Sequence, residues 1–321
     1  MLLLKPEAFH GNKSKRPFFE GWYHKLTTKS NKSLAIIPGI YKSGQSKNET
    51  AFIMVFDGSN KKVFFERYST KEFECSKSEY KLYIGSNYFS LDEIKLDISS
   101  KSFQLNGRVT TEYLKPWPVS LFEPGCMGWY TYIPTMECFH GILSMDHSLS
   151  GKLELNKSLY NFSDGRGYIE KDWGHSFPLG YVWMQSNHFS KSEISFKLSV
   201  AKIPMKGFSF IGFIAGVWVN SELIEFTTYN FSNLRKCSIS KEEVSIEMDN
   251  NKYKLIAKAT RSKSTKLAAP IQGFMDSRIE ESMNSKINLV LIDKKINKSI
   301  IDDIGSSACI EVAGNYSLLL K

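Results

Sequence analysis

Ala51-Phe52-Ile53-Met54-Val55-Phe56, closed by Asp57-Gly58, is a strand running into a hairpin turn. Its β-branched and aromatic side chains suit a pleated surface, and the Asp-Gly pair suits a tight reversal. The same pattern returns at Lys81 to Ile84 before Gly85-Ser86-Asn87, at Lys152 to Leu155 before Asn156, and at Val217 to Val219 before Asn220. Helical periodicity is scarce. Asp276 to Ser285 is the one stretch read as helix, and it reads nearly as well as strand. The fold class expected is all-β, built from antiparallel hairpins.

The hairpin occurs twice. Phe52, Phe65 and Tyr68 are spaced 13 and 3 apart, and so are Phe213, Phe226 and Tyr229. Each set follows a Trp-led strand, Gly21-Trp22-Tyr23-His24 or Val182-Trp183-Met184-Gln185, and an apolar strand ending in proline, Leu34 to Pro38 or Leu198 to Pro204. Tyr168-Ile169-Glu170 closes the first half and Cys309-Ile310-Glu311 the second. Ordered features repeated at one spacing imply duplication. The expectation is two tandem antiparallel β-barrels, over residues 1–175 and 176–321, because closure hides the edges of long meanders. A cavity of about 300 to 1,000 Å³ within or between such units would hold a lipophilic small molecule.

Lys and Arg exceed Asp and Glu by 9 in the 321 residues, a sign that favours phosphate, anionic membranes or acidic ligands. The lysines, however, sit singly or in pairs in Ser/Asn-rich turns such as Ser30-Asn31-Lys32-Ser33. No basic run and no zinc-finger or RNA-recognition signature is present, so no nucleic-acid partner is expected, while peripheral contact with an anionic membrane stays open. No apolar run approaches the roughly 20 residues of a spanning helix, and Met1-Leu2-Leu3-Leu4 is too short for a signal-peptide core. A cytoplasmic protein is expected. The five cysteines are scattered without a C-x-x-C pair, which argues for free thiols rather than disulfides or zinc.

Lys15-Arg16-Pro17-Phe18-Phe19-Glu20-Gly21-Trp22-Tyr23-His24-Lys25-Leu26 resembles the opening signature of the tocopherol cyclase-like family. Gly128 to Gly141, Ser144 to Gly151, Gly165-Arg166-Gly167-Tyr168-Ile169-Glu170-Lys171-Asp172-Trp173-Gly174 and Trp183 to Phe189 extend the likeness, which covers about residues 15 to 314. The resemblance implies tandem lipocalin-like barrels and a cofactor-independent cyclase. Such an enzyme closes the chromanol ring of a prenylated hydroquinone by protonating a trisubstituted alkene.

That chemistry needs a carboxylic acid kept protonated by apolar surroundings and aromatic faces to stabilise a cation. In a strand, Tyr168, Glu170 and Asp172 share one face and Ile169, Lys171 and Trp173 the other. Asp172 and Glu170 are thus the leading candidate acids; alternatively they brace a turn by pairing with Arg166 or Lys171. Glu20, on the face of Phe18 and Trp22, is a further catalytic candidate unless Arg16 or Lys25 ties it down. Glu137 with His140 and Asp146 with His147 form two acid–histidine pairs, in which His147 is a candidate proton relay. Trp22, Tyr23, Trp129, Trp173, Trp183, Asn187 and His188, with Glu137, His140 and Asp146, are the candidate ligand contacts, the expected cavity being lined partly by Trp22, Trp173 or Trp183.

No metal site is expected, since His140, His147, His175 and His188 lack a helical i, i+4 pair, while strand ligands brought together by folding stay open as the alternative. Ser144, Ser148, His147 and Asp146 are near neighbours, but there is no Gly-x-Ser-x-Gly elbow, which argues against a nucleophilic triad. Gly165-Arg166-Gly167 lacks the Lys-Ser/Thr of a phosphate loop and reads as a turn. A non-catalytic lipocalin-like carrier is the alternative to a cyclase, and a structural protein with a filled core is the third reading.

Overall fold

A computed structural model describes residues 2–11, 17–43, 49–205, 208–261, 265–271 and 274–320; Lys15 and Arg16 of the opening motif lie outside them. Two compact units divide the chain, Met1–Phe177 with Ala268–Ser277, and Pro178–Leu267 with Arg278–Lys321. Regular structure among the described residues is strand, accompanied by short 3-10 turns.

The first sheet has 12 strands: β1 (Phe18–Thr27), β2 (Ser33–Lys42), β3 (Thr50–Asp57), β4 (Lys62–Tyr68), β5 (Phe73–Cys75), β6 (Lys81–Ile84), β7 (Asn87–Ser90), β8 (Glu93–Ser99), β9 (Gln104–Glu112), β10 (Cys138–Leu155), β11 (Ser158–Asn161) and β12 (Gly165–Gly174). Their order is β4-β3-β2-β1-β12-β10-β9-β8-β7-β6-β5, with β11 on β10. The sheet curls, so that β3 also lies against β6.

The second sheet has 10 strands: β13 (Gly180–Ser186), β14 (Ser195–Met205), β15 (Phe208–Val219), β16 (Glu222–Thr227), β17 (Asn233–Ile239), β18 (Glu243–Asp249), β19 (Tyr253–Thr260), β20 (Thr265–Ile271), β21 (Phe274–Asp293) and β22 (Lys298–Gly314). Their order is β16-β15-β14-β13-β22-β21-β19-β18-β17, with β20 on β21.

Both sheets start with a four-strand meander whose first strand pairs antiparallel with the last strand of the sheet. The duplication extends to register. Trp22 and Trp183 are 161 residues apart, and the same offset carries Gly21↔Gly39 onto Val182↔Val200, Leu34↔Asp57 onto Ser195↔Trp218, and Met54↔Phe65 onto Ala215↔Phe226. One detail of the repeat is corrected. Trp22 faces Lys171 and Trp183 faces Glu311, so Glu311 takes the place of Lys171 rather than of Glu170.

Alternation fills each core. On β8, Ile94, Leu96 and Ile98 are buried while Lys95, Asp97 and Ser99 are exposed. These residues join Trp22, Leu26, Ile36, Phe89, Ile169 and Trp173 in the first unit. Phe196, Leu198, Ala215, Phe226, Ile246 and Leu289 do the same in the second. The stretch from Asp276 to Ser285 is strand, not helix: it lies in the 20-residue β21, whose backbone is paired with β22 from Glu280 onward. A ladder partner overrides a weak local preference. The five cysteines are free. No helix among the described residues is long and apolar enough to cross a membrane.

Candidate functional site

Strand β12 lies between β1 and β10, and directly opposed residues in an antiparallel ladder share a face. Asp172 is opposite His140, and Glu170 is opposite both Ile142 and Tyr23. One face of β12 therefore gathers Tyr168, Glu170, Asp172, His140 and Tyr23. Tyr168 and Glu170 are buried, whereas the side chain of Asp172 keeps 28% of its surface exposed.

These groups form a chain. His140 Nδ1 lies 2.8 Å from Asp172 Oδ1; a carboxylate accepts, so the ring donates. His140 Nε2 faces Glu170 Oε2 at 3.5 Å, and the Tyr168 hydroxyl donates to that same oxygen at 2.5 Å. Burial, and then the charge of Glu170, push the Tyr168 phenol well above its ordinary value and keep it a donor. Neither Arg166 nor Lys171, the partners considered for this acid pair, takes that role: Arg166 pairs with Asp146 at 2.8 Å and Lys171 with Glu20 at 2.6 Å. His140, Glu170 and Asp172 also each present one ligand atom within 4.8 Å of the others, a donor set that could hold a divalent metal.

The opposite face of β12 carries the second polar centre. Lys171 Nζ donates to the carbonyls of Pro6, at 3.0 Å, and Ala8, and meets His10 Nδ1 at 2.9 Å. It also sits over the indoles of Trp22 and Trp173, at 4.8 and 4.7 Å. Burial lowers the Lys171 pKa, and Glu20 opposes the shift. Glu20 accepts from the main-chain N–H groups of His10 and Gly11 as well. A basic partner thus holds Glu20, and it is Lys171; Lys25 extends from the other face of β1, opposite Tyr168. Trp22 donates to the Glu7 carbonyl and stacks on Tyr80, while Trp173 stacks on His10 and Phe139. These two indoles pack against the N-terminal segment of the chain.

Both acid–histidine neighbour pairs are parted. Glu137 is exposed, and its carbonyl accepts from the His175 N–H, while His140 turns to Asp172. Asp146 pairs with Lys115 and Arg166 on one face. His147 enters the core on the other, where its Nδ1 meets Ser144 Oγ at 3.1 Å. The Ser144 hydroxyl gives its proton to the Asp146 carbonyl at 2.8 Å, so the imidazole is the donor to Ser144 and does not activate it as a nucleophile. Burial lowers His147 to about 4.

Trp129 is exposed and stacked on Tyr130 at 4.0 Å. In the second unit Trp183 is buried on β13, and Asn187 Oδ1 meets His188 Nδ1 at 2.8 Å. A cavity of about 370 Å³ in that unit is lined by Ile211, Phe213, Ser232, Asn233, Leu234 and Arg235, and none of the three expected indoles is among its walls. What sequence reasoning missed is the role of two residues it had named: Tyr168 as a hydrogen-bond donor to Glu170, and Lys171 as the partner of Glu20 rather than of the acid pair. The i, i+2, i+4 spacing of Tyr168, Glu170 and Asp172 was the signal available for the former.

A duplicated, antiparallel, lipocalin-like fold with a carboxyl–histidine–tyrosine face defines the class. The family model described as tocopherol cyclase-like matches residues 97–314. The chain belongs to that family. It is 22% identical to the chloroplastic tocopherol cyclase of Zea mays, over 96% of this chain and 77% of the maize protein. Among solved structures it is similar to CghA, with a TM-score of 0.58, 9% identity, and coverage of 93% of this chain and 89% of CghA. It is similar also to kievitone hydratase of Nectria haematococca, with a TM-score of 0.52, 8% identity, and coverage of 96% and 93%.

Proposed function

We propose that this protein is a cofactor-independent cyclase that isomerises a prenylated hydroquinone, or another lipophilic polyene, by protonating an alkene. The observation that carries the reading is the Asp172–His140–Glu170–Tyr168 chain on one face of β12. Asp172, the more exposed of the two carboxyls, is the proposed proton donor. His140 holds Oδ1 of that carboxyl, leaving its other oxygen to carry the proton, and Glu170 with Tyr168 fixes the far side of the imidazole. The alkene takes that proton, the phenol oxygen of the substrate captures the cation, and the phenol proton returns to the carboxylate. Atoms balance with no external reagent.

The test is incubation of the protein with prenylated hydroquinones and detection of the chromanol. Turnover that survives EDTA treatment, and falls by about 10² to 10⁴ in Asp172→Asn, is expected. Absence of turnover across several polyenes, with retained binding of the same compounds, would favour the carrier instead.

A further inference from the structure

Turn tips are usually polar, because Gly, Asn, Asp and Ser supply the required backbone shapes and tolerate water. The tip formed by Ser120-Leu121-Phe122-Glu123 breaks that rule. Val119 bridges Pro124, the Ser120 N–H donates to the Glu123 carbonyl at 2.9 Å, and the Glu123 N–H donates to Ser120 Oγ at 3.0 Å. The two residues at the apex are Leu121, 64% exposed, and Phe122, 86% exposed. The Tyr132 hydroxyl donates to the Leu121 carbonyl at 2.6 Å and locks the tip to the 3-10 turn Gly128–Tyr132, which exposes Trp129 and Tyr132. An apolar apex flanked by Trp and Tyr has the order of groups that enters a bilayer interface, apolar side chains deepest and amphipathic rings at headgroup level.

Charge agrees. From Leu114 to Met136 the only Asp, Glu, Lys or Arg residues are Lys115 and Glu123; Lys115 is engaged with Asp146, so Glu123, at the base of the tip, is the one carboxylate that has to stay at headgroup level as Leu121 and Phe122 enter lipid. The chain as a whole carries +9, which attracts it to an anionic surface. The same segment packs on the backbone of His140: Cys126 Sγ contacts the His140 carbonyl at 3.3 Å, and the His140 N–H meets Met127 Sδ at 3.0 Å. We infer that the Leu121-Phe122 tip docks the protein on a lipid bilayer, bringing a membrane-dissolved substrate to the face of β12. The inference rests on the proposed cyclase reading only for that last purpose, since docking itself is read without turnover.

The experiment is co-sedimentation of the full chain with vesicles of phosphatidylcholine, with and without phosphatidylserine, comparing the parent with the double variant Leu121→Ser, Phe122→Ser. The parent is expected to partition onto vesicles, more strongly when phosphatidylserine is present. The variant should bind at least about tenfold more weakly while keeping the circular dichroism and melting temperature of the parent. A parent protein that stays in the supernatant with both lipids overturns the inference, as does a folded variant that binds as the parent does. A parent that self-associates through this tip, without vesicle binding, would show that the surface covers a second copy and would also overturn it. Failure to form chromanol leaves the vesicle result standing, so the two proposals fail separately.

Discussion

Lys171 Nζ and Glu20 Oε1 are 2.6 Å apart, and neither side chain has any exposed surface. A buried pair of this kind gains little over an apolar pair, but removing one partner strands the other. Glu20→Gln should therefore cost about 3 to 5 kcal/mol, read by urea unfolding. Turnover per folded molecule should hold, because Glu20 points away from the face carrying Asp172. Replacing both residues with apolar ones of similar volume should recover most of the loss. A single variant as stable as the parent would remove the argument.

Stability should also fall with acid, and the sign follows from two core histidines. Burial lowers His24 to about 3 and His147 to about 4. In the unfolded chain both titrate near 6.5, so below that pH the unfolded state binds protons that the folded state refuses. The contribution of neutral imidazoles is complete above about pH 7.5 and is lost as pH falls through 6.5 toward 4, at about 2 kcal/mol for each histidine by pH 5. Burial also lowers His10, which acts with the same sign. Urea midpoints that stay flat between these pH values would contradict the assignment.

Gly167 packs directly against the His147 imidazole. A Cβ built there would lie 2.1 Å from His147 Nε2, well inside contact. Gly167→Ala should then destabilise by about 1 to 3 kcal/mol through overpacking. Adding His147→Ala should cost less than the two single changes together, because the smaller side chain vacates the space. Strict additivity in that cycle would mean that the backbone, rather than the ring, resists the methyl group.

How far the sequence could be read depended on distance along the chain. Alternation placed Tyr168, Glu170 and Asp172 on one face, since that needs only a straight strand, and the 13-and-3 aromatic spacing exposed the duplication, since hairpins preserve register. Partners from remote segments were another matter. Glu20 has Arg16 and Lys25 as its basic neighbours in sequence, whereas its partner Lys171 comes from a strand made adjacent only by the β1–β12 ladder. Asp146 and His147, adjacent in sequence, were read as a pair, yet neighbouring strand residues diverge, and β10 also shifts register between Ile142 and His147. The N-terminal residues packed on Trp22 and Trp173 likewise carry no signal in the sequence of where they fold.

The order of effects along the polar chain separates its members. Asp172 is the proposed donor, so Asp172→Asn removes the transferable proton while preserving shape, and the loss should be about 10² to 10⁴ in kcat. Glu170 acts through His140, 3.5 Å away, and Tyr168 acts through Glu170 at 2.5 Å. Glu170→Gln should therefore cost less than Asp172→Asn, and Tyr168→Phe less again. Because Glu170 and Tyr168 orient the ring, their variants should also alter the pH profile, whereas a purely structural role would lower the melting temperature and leave the profile of the folded fraction in place. Amides and Phe are chosen because Ala would open voids and mix stability with rate. If Glu170→Gln instead abolishes turnover while Asp172→Asn only weakens it, the donor is Glu170 and Asp172 is the group that orients His140.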